Sequence, residues 1–237
     1  MMNGEQLFVL VFLSTGMFLS VYRNKLTVEA SLTGGLTGYL IFTGTGYAGL
    51  IMMTAFFVFG VLATGWKQRS KIEAGLSESN KGRRRASQVL ANSGVPAASA
   101  LLALVMPDMQ PICLLMVAAA FASATSDTLS SELGNVYGRR FYHIITFQKD
   151  RKGENGVISI EGSLAGLVGA ALIALIYSTF AGWGSWSWIV LFAGFAGNLF
   201  DSVLGAVFER KSLIGNDAVN FLSTLFAALT AALITLF

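Results

Sequence analysis

Over and over the chain runs apolar for nearly the distance that crosses a bilayer, and the stretches between carry almost all of its charge. A membrane helix needs about 20 mostly apolar residues to span a hydrocarbon core about 30 Å thick. Such runs occupy Leu7–Val21, Leu26–Thr43, Tyr47–Trp66, Val89–Met106, Ile112–Gly134, Gly162–Gly182, Trp186–Phe208 and Asp217–Leu236. Only 12% of the 237 residues are charged, about half the usual share of roughly 25% in soluble proteins. The pattern predicts an all-α, polytopic membrane helix bundle of about eight transmembrane helices. It forms one membrane domain over residues 1–237, with polar loops at 67–88, 135–161 and 209–216. The 26 glycines and 3 prolines suit helices that pack through small residues. The first run is read as a spanning helix and not a cleaved leader, because Glu5 precedes it and Arg23 and Lys25 follow it.

Alternating the runs across the membrane sorts the cations completely. All 16 Lys and Arg residues fall on the side opposite the N-terminus. The positive-inside rule makes that side the cytoplasm and predicts that both termini are extracytoplasmic. Trp183, Trp186 and Trp188 then anchor the outer interface and Trp66 the inner one. The positive net charge of +3 reflects these loops, and no nucleic-acid partner is expected. The single cysteine, Cys113, excludes an internal disulfide and reads as apolar filling. The single histidine, His143, reads as a loop residue and not as a catalytic base.

Acidic residues follow the same geography. Glu29, Asp127, Glu132, Glu161, Asp201 and Asp217 all lie within or beside helix ends on the basic side. Polar residues are ordinary where helices meet water, but Asp201 is embedded in an apolar run and Asp127 follows Val117–Ala122. Carboxylates inside a membrane are costly and face a partner or a cavity. Ser123, Asp127, Ser130 and Ser131 share one helix face, and Asn198, Asp201, Ser202 and Gly205 share another. Asn216, Asp217 and Asn220 open the last run. Oxygen donors from three helix ends suit Mg²⁺, which takes one or two carboxylates plus substrate phosphates. Asp127, Asp201 and Asp217 are the candidate metal ligands.

Two basic stretches supply the complement. Lys81, Arg83 and Arg84 lead through Gln88 to Asn92, and a second stretch runs from Arg139 through Lys149 and Asn155 to Ser159. Arginine forks suit phosphate oxygens, and Gly and Ser at a helix start offer N–H groups to anions. These residues, with Asn198 and Asn220, are candidate nucleotide- or phosphate-binding groups. Arg83–Arg85 read equally well as a topology signal or a lipid-headgroup contact. There is no P-loop, because Trp66 and Gln68 interrupt the pattern after Gly60 and Gly65.

The elements Ser126-Asp127-Thr128, Ser131-Glu132-Leu133-Gly134, Gly156-Val157-Ile158-Ser159 and Asn198 through Ala206 together resemble a known family. It is the multi-pass membrane family that includes the phytyl-phosphate kinase of plants and cyanobacteria and the transmembrane protein 19 group. That family usually has Gly-Asp-Thr where this chain has Ser126-Asp127-Thr128. Ser159-Ile160-Glu161-Gly162-Ser163 is similar to an element of the CTP-dependent phytol and dolichol kinases. The resemblance implies transfer of a γ-phosphoryl group, from CTP or another nucleoside triphosphate, to an isoprenoid monophosphate such as phytyl or geranylgeranyl phosphate. It implies Asp127, Glu132 and Asp201 as catalytic or metal-binding acids, and adds Lys149, Asn155 and Glu161 to the binding set. The expected partners are a membrane lipid and a nucleotide. The expected location is a membrane crossed several times, the cell membrane if the source is prokaryotic, with the site on the cytoplasmic face. Two other readings stay open: a transporter or scramblase, whose carboxylates bind a coupling ion, and a cytidylyltransferase, which releases pyrophosphate.

Overall fold

The computed structural model describes residues 3–76 and 83–236. Among these residues eight α-helices follow one another: α1 (Gly4–Tyr22), α2 (Val28–Gly65), α3 (Gln68–Glu73), α4 (Ala86–Val105), α5 (Gln110–Tyr137), α6 (Ile160–Ala181), α7 (Ser185–Leu204) and α8 (Asn216–Ile234). Side chains cap several of them. Asn3 and Gln6 form a reciprocal capping box at α1. Thr27 accepts from the Ala30 N–H at α2, and Ser159 accepts from the Gly162 N–H at α6.

Seven of these helices are long and apolar enough to cross a membrane. The protein is a polytopic membrane helix bundle. α2 has 38 residues and would be about 57 Å long if straight at 1.5 Å per residue, far more than a bilayer core. It is not straight. Gly46 adopts φ 67° and ψ −157°, a region open essentially to glycine alone. There the helix doubles back, so that a Cβ on Gly38 would lie 3.4 Å from the Met53 sulfur. The two legs of α2 give the eight crossings that the sequence predicts, with the turn at the expected Gly44–Gly46.

α5 is the central post. In its apolar stretch 72% of residues are buried, against 11% in the peripheral α1. A helix can sit this deep only if its neighbours come close, and glycines make that possible. On α6, a Cβ at Gly162 would lie 2.8 Å from the Ser130 carbonyl oxygen of α5. At Gly166 and Gly169 it would lie 3.0 Å from the oxygens of Ser126 and Thr125. This is close packing through small residues, which replaces the hydrophobic effect as the adhesive between helices in lipid. Phe56, Phe121, Ile173 and Val190 fill the core around α5.

The basic connections meet at one end of the bundle. The Arg84 N–H donates to the Lys25 carbonyl at 2.9 Å, and Trp66 Nε1 donates to the Tyr137 hydroxyl at 2.8 Å. The expected loop 67–88 contains a short helix, α3, fixed by an ion pair between Lys71 and Glu132 of α5. Lys71 also donates to the carbonyl oxygens of Ala63 and Thr64. The loop after α5 forms a two-residue antiparallel pair, β1 (Tyr142–His143) with β2 (Val157–Ile158). His143 Nδ1 accepts from the N–H groups of Ile145 and Thr146 in the turn between them.

Candidate functional site

At the basic end, the polar halves of α4, α5, α7 and α8 converge on a cavity of about 220 Å³. Helical periodicity explains which residues reach it. From α4 come Gln88 and Asn92, spaced by four, and from the extended segment just before it comes Arg84, held beside Leu26 by a parallel bridge. From α7 come Asn198, Asp201 and Gly205. From α8 come Asn216 and Asn220, again spaced by four, and from α5 come Asp127, Ser130 and Ser131. The α7 helix then widens into a π-helical turn, Gly205–Glu209, which brings Glu209 onto the same wall. Such turns are rare and concentrate at functional sites.

The roof is the loop from Gly153 to Ser159. It lies directly on the π-helical turn: a Cβ on Gly205 would sit 3.0 Å from the Gly156 nitrogen. Gly153 and Gly156 have φ of 82° and 75°, which favours glycine at both. Arg210 pins the loop from the α7–α8 side, with a 2.7 Å bond to Asp150 and a 3.9 Å ion pair to Glu154. The Arg210 hydrogen bond holds the Asp150 carboxyl below the usual carboxylate range, and Asp150 in turn raises Arg210.

Among the described residues that line the cavity, the acids outnumber the cations. Asp127, Glu154, Asp201 and Glu209 face it, with Arg84 as the cation among its lining residues. Asp127 and Asp201 reach it from neighbouring helices, α5 and α7. Asp201 Oδ2 is buried and has no hydrogen-bond partner among the described residues. A buried carboxylate oxygen with no donor is expensive, and a cation removes that expense. The donors are all oxygen, as Mg²⁺ requires, and two carboxylates are enough when phosphates complete the shell. Asp127 and Asp201 therefore fit such an ion.

Of the residues singled out in the sequence, Arg84, Gln88, Asn92, Asp127, Asn155, Ser159, Asn198, Asp201 and Asn220 line this cavity. Others stand elsewhere. Asp217 is one residue past Asn216, so it points about 100° away and lines an outer vestibule with Arg85 and Gly215. Asp217 thus does not join Asp127 and Asp201 in the cavity, and among the described residues no three His, Cys, Asp or Glu side chains are grouped so that they could hold one metal ion. Glu132 is about 140° around α5 from Asp127 and pairs with Lys71 instead of facing the cavity. Arg83 Nε donates to the Leu26 carbonyl at 3.1 Å. Glu161 accepts from the Arg139 backbone N–H at 3.4 Å, and Lys149 bridges to Tyr142. None of Arg83, Arg139, Lys149 and Glu161 lines the cavity. Lys81 lies outside the described residues. Sequence reasoning missed Asn135, Glu154 and Glu209, which do line it. The periodicity could have found Asn135, one turn beyond Ser131.

The fold and this cavity define a polytopic membrane protein with a polar, carboxylate-bearing pocket at one end of its bundle. Residues 11–228 match the integral membrane protein family DUF92, and the chain belongs to that family. It is 33% identical over 230 residues to an uncharacterised membrane protein of Methanocaldococcus jannaschii, covering 97% of this chain and 94% of that one. It is 31% identical over 210 residues to the chloroplastic protein VTE6 of Arabidopsis thaliana, covering 85% of this chain and 63% of that one. An uncharacterised membrane protein of Synechocystis is 32% identical over 198 residues, covering 82% and 76%. No solved structure is a significant match.

Proposed function

We propose that this protein is a membrane kinase that transfers a γ-phosphoryl group from a nucleoside triphosphate, CTP first among them, to an isoprenoid monophosphate. The observation that carries the reading is the convergence of Asp127 and Asp201, from separate helices, on one polar cavity faced by Arg84 and roofed by a glycine loop. The kinship with plant and cyanobacterial proteins supports it, since the phytyl-phosphate kinases belong to those lineages. The positive-inside rule puts the cavity on the cytoplasmic side, where nucleotide is found.

Phosphoryl transfer asks a protein chiefly for positioning and charge compensation. Asp127 and Asp201 would hold the divalent cation, and Asn198 and Asn220 flank them as amide donors and acceptors. Mg²⁺, when bound, neutralises charge on the phosphates. Arg84 and Asn155 hold phosphate oxygens from the opposite wall and the roof. An oxygen of the acceptor phosphate forms the new bond to the γ-phosphorus. The bond to the β–γ bridging oxygen breaks, and the nucleoside diphosphate leaves. A phosphate monoester has its second pKa near ~6, so the acceptor is already a dianionic nucleophile. No side chain need remove a proton, which agrees with a lone His143 engaged in a turn.

The test is direct. Purified protein is incubated with γ-labelled CTP or ATP, Mg²⁺ and phytyl or geranylgeranyl phosphate. Labelled lipid diphosphate with release of nucleoside diphosphate is the expected result. Pyrophosphate release would show a cytidylyltransferase instead, and no labelled lipid with any nucleotide would overturn the kinase reading.

A further inference from the structure

A second cavity, of about 140 Å³, lies between α1, both legs of α2 and the start of α4. Its walls are almost wholly apolar, with Phe12, Met17, Leu50, Met53, Phe56 and Phe57 supplying most of the surface. The hydroxyls on its walls are spent on other partners. Ser20 donates to the Gly16 carbonyl, Ser31 to that of Met17, Thr54 to that of Leu50 and Ser93 to that of Val89. A donor already bonded to backbone offers nothing to a polar ligand, so the groove presents hydrocarbon.

One end is different. Arg84 and Gln88 line this groove and the polar cavity alike, so they form the partition between the two. The Arg84 guanidinium lies over the Phe56 ring, 5.4 Å from its centroid. It rests against Gly60, where a Cβ would come within 2.6 Å of its Nη2. The groove therefore has an apolar length and a cationic end, and that end is the wall it shares with the polar cavity.

We infer that this groove holds the hydrocarbon chain of a lipid monophosphate, with its phosphate turned past Arg84 into the polar cavity. A phosphate monoester carries up to two negative charges for that cation, against one on the phosphodiester of a zwitterionic lipid and none on a neutral one. The inference rests on the kinase reading for the direction of the headgroup. The groove's apolar walls and the Arg84–Gln88 wall it shares with the cavity stand without it.

The experiment uses the full chain in phosphatidylcholine nanodiscs with geranylgeranyl phosphate carrying a diazirine on its last isoprene unit. Photolabel is expected in residues 4–22 and 28–65, with at least a fivefold reduction by excess unlabelled geranylgeranyl phosphate and none by geranylgeraniol. Label spread evenly over the lipid-facing helices would overturn the proposal, and so would equal competition by the alcohol. Gly34→Leu and, on the facing wall, Gly16→Leu fill the groove. At Gly34 a Cβ meets nothing nearer than 3.9 Å, and at Gly16 nothing within 4 Å, so both variants are expected to fold. Each should cut the specific label at least fivefold, and unchanged label in both would refute the site. In the kinase assay, each should lower the ratio of kcat/KM for geranylgeranyl phosphate over dimethylallyl phosphate about tenfold. An unchanged ratio would refute the groove as the acceptor's seat. Should wild-type protein phosphorylate neither acceptor, the kinase reading fails, while the photolabel pattern still decides the groove.

Discussion

Lys71 and Glu132 offer the sharpest test of how this bundle is held together. The Lys71 side chain is 3% exposed and that of Glu132 11%. The ammonium has three acceptors, the Glu132 carboxylate and the carbonyl oxygens of Ala63 and Thr64 at 3.0 and 2.9 Å. Breaking a buried pair by removing one partner costs about 3–5 kcal/mol. Lys71→Met strands a carboxylate in the protein and should lie near the top of that range. Glu132→Leu leaves the ammonium its two carbonyls and should lie near the bottom. At about 2–4 °C per kcal/mol for a chain of this size, the melting temperature should fall by roughly 6–20 °C. The double variant Lys71→Met/Glu132→Leu removes both charges together and should recover most of the loss, because apolar replacement of a whole buried pair is often neutral. Cys113 is the chain's one cysteine and is buried, so a fluorogenic maleimide reports unfolding in detergent. Single variants that melt within about 2 °C of wild type, or a double variant whose loss equals the sum of the two, would refute the reasoning. The same double variant should retain lipid phosphorylation if Glu132 serves the fold, and should lose it if Glu132 acts in the chemistry.

Other predictions concern the cavity and its roof. Asp201→Asn should lower turnover by about 100-fold or more while the maleimide melting curve stays near wild type, because the buried Oδ2 has no partner to lose; turnover at the wild-type level would remove Asp201 from the site. Gly46→Ala should destabilise the α2 hairpin by about 1–3 kcal/mol, read as a lower melting temperature, although nothing lies within 4 Å to obstruct the methyl group. Asp150 is held below its ordinary pKa by Arg210, so its hold on the roof loop is complete above about pH 4 and is lost as pH falls through the lowered value. Limited proteolysis should cut residues 138–159 faster in that acid range in wild type, and at neutral pH in Arg210→Ala. Equal cutting of that variant and wild type at neutral pH would count against the pin.

Much of the architecture is legible without coordinates, since the cost of burying charge in lipid writes the spans and the loops into the order of residues. The turn within α2 is legible for the same reason, as Gly44–Gly46 interrupts an apolar stretch too long for one crossing. Asp127 and Asp201 stand out because each is an acid on an otherwise apolar or small-residue helix. Angular position is where the reading of sites loses precision. Glu132 and Asp217 sit at the right depth but on the wrong face of their helices, a distinction that needs the rotation of each helix in the bundle. Lys71 as the partner of Glu132 is 61 residues away in the chain, and no local pattern joins them. The approach of Gly156 to Gly205 is a contact between the roof loop and the backbone of the π-helical turn, which periodicity cannot anticipate.

The burial of α5 bears on how the protein is made. A ribosome delivers α5 while α6, α7 and α8 are still unsynthesised, yet those three cover most of its polar half. Released alone into lipid, that half would set Asp127 and a row of hydroxyls against acyl chains, where ionisable groups are poorly tolerated. During biogenesis α5 must therefore linger at the insertion machinery until its later neighbours arrive, and a chain truncated after Tyr137 should be cleared by membrane quality control.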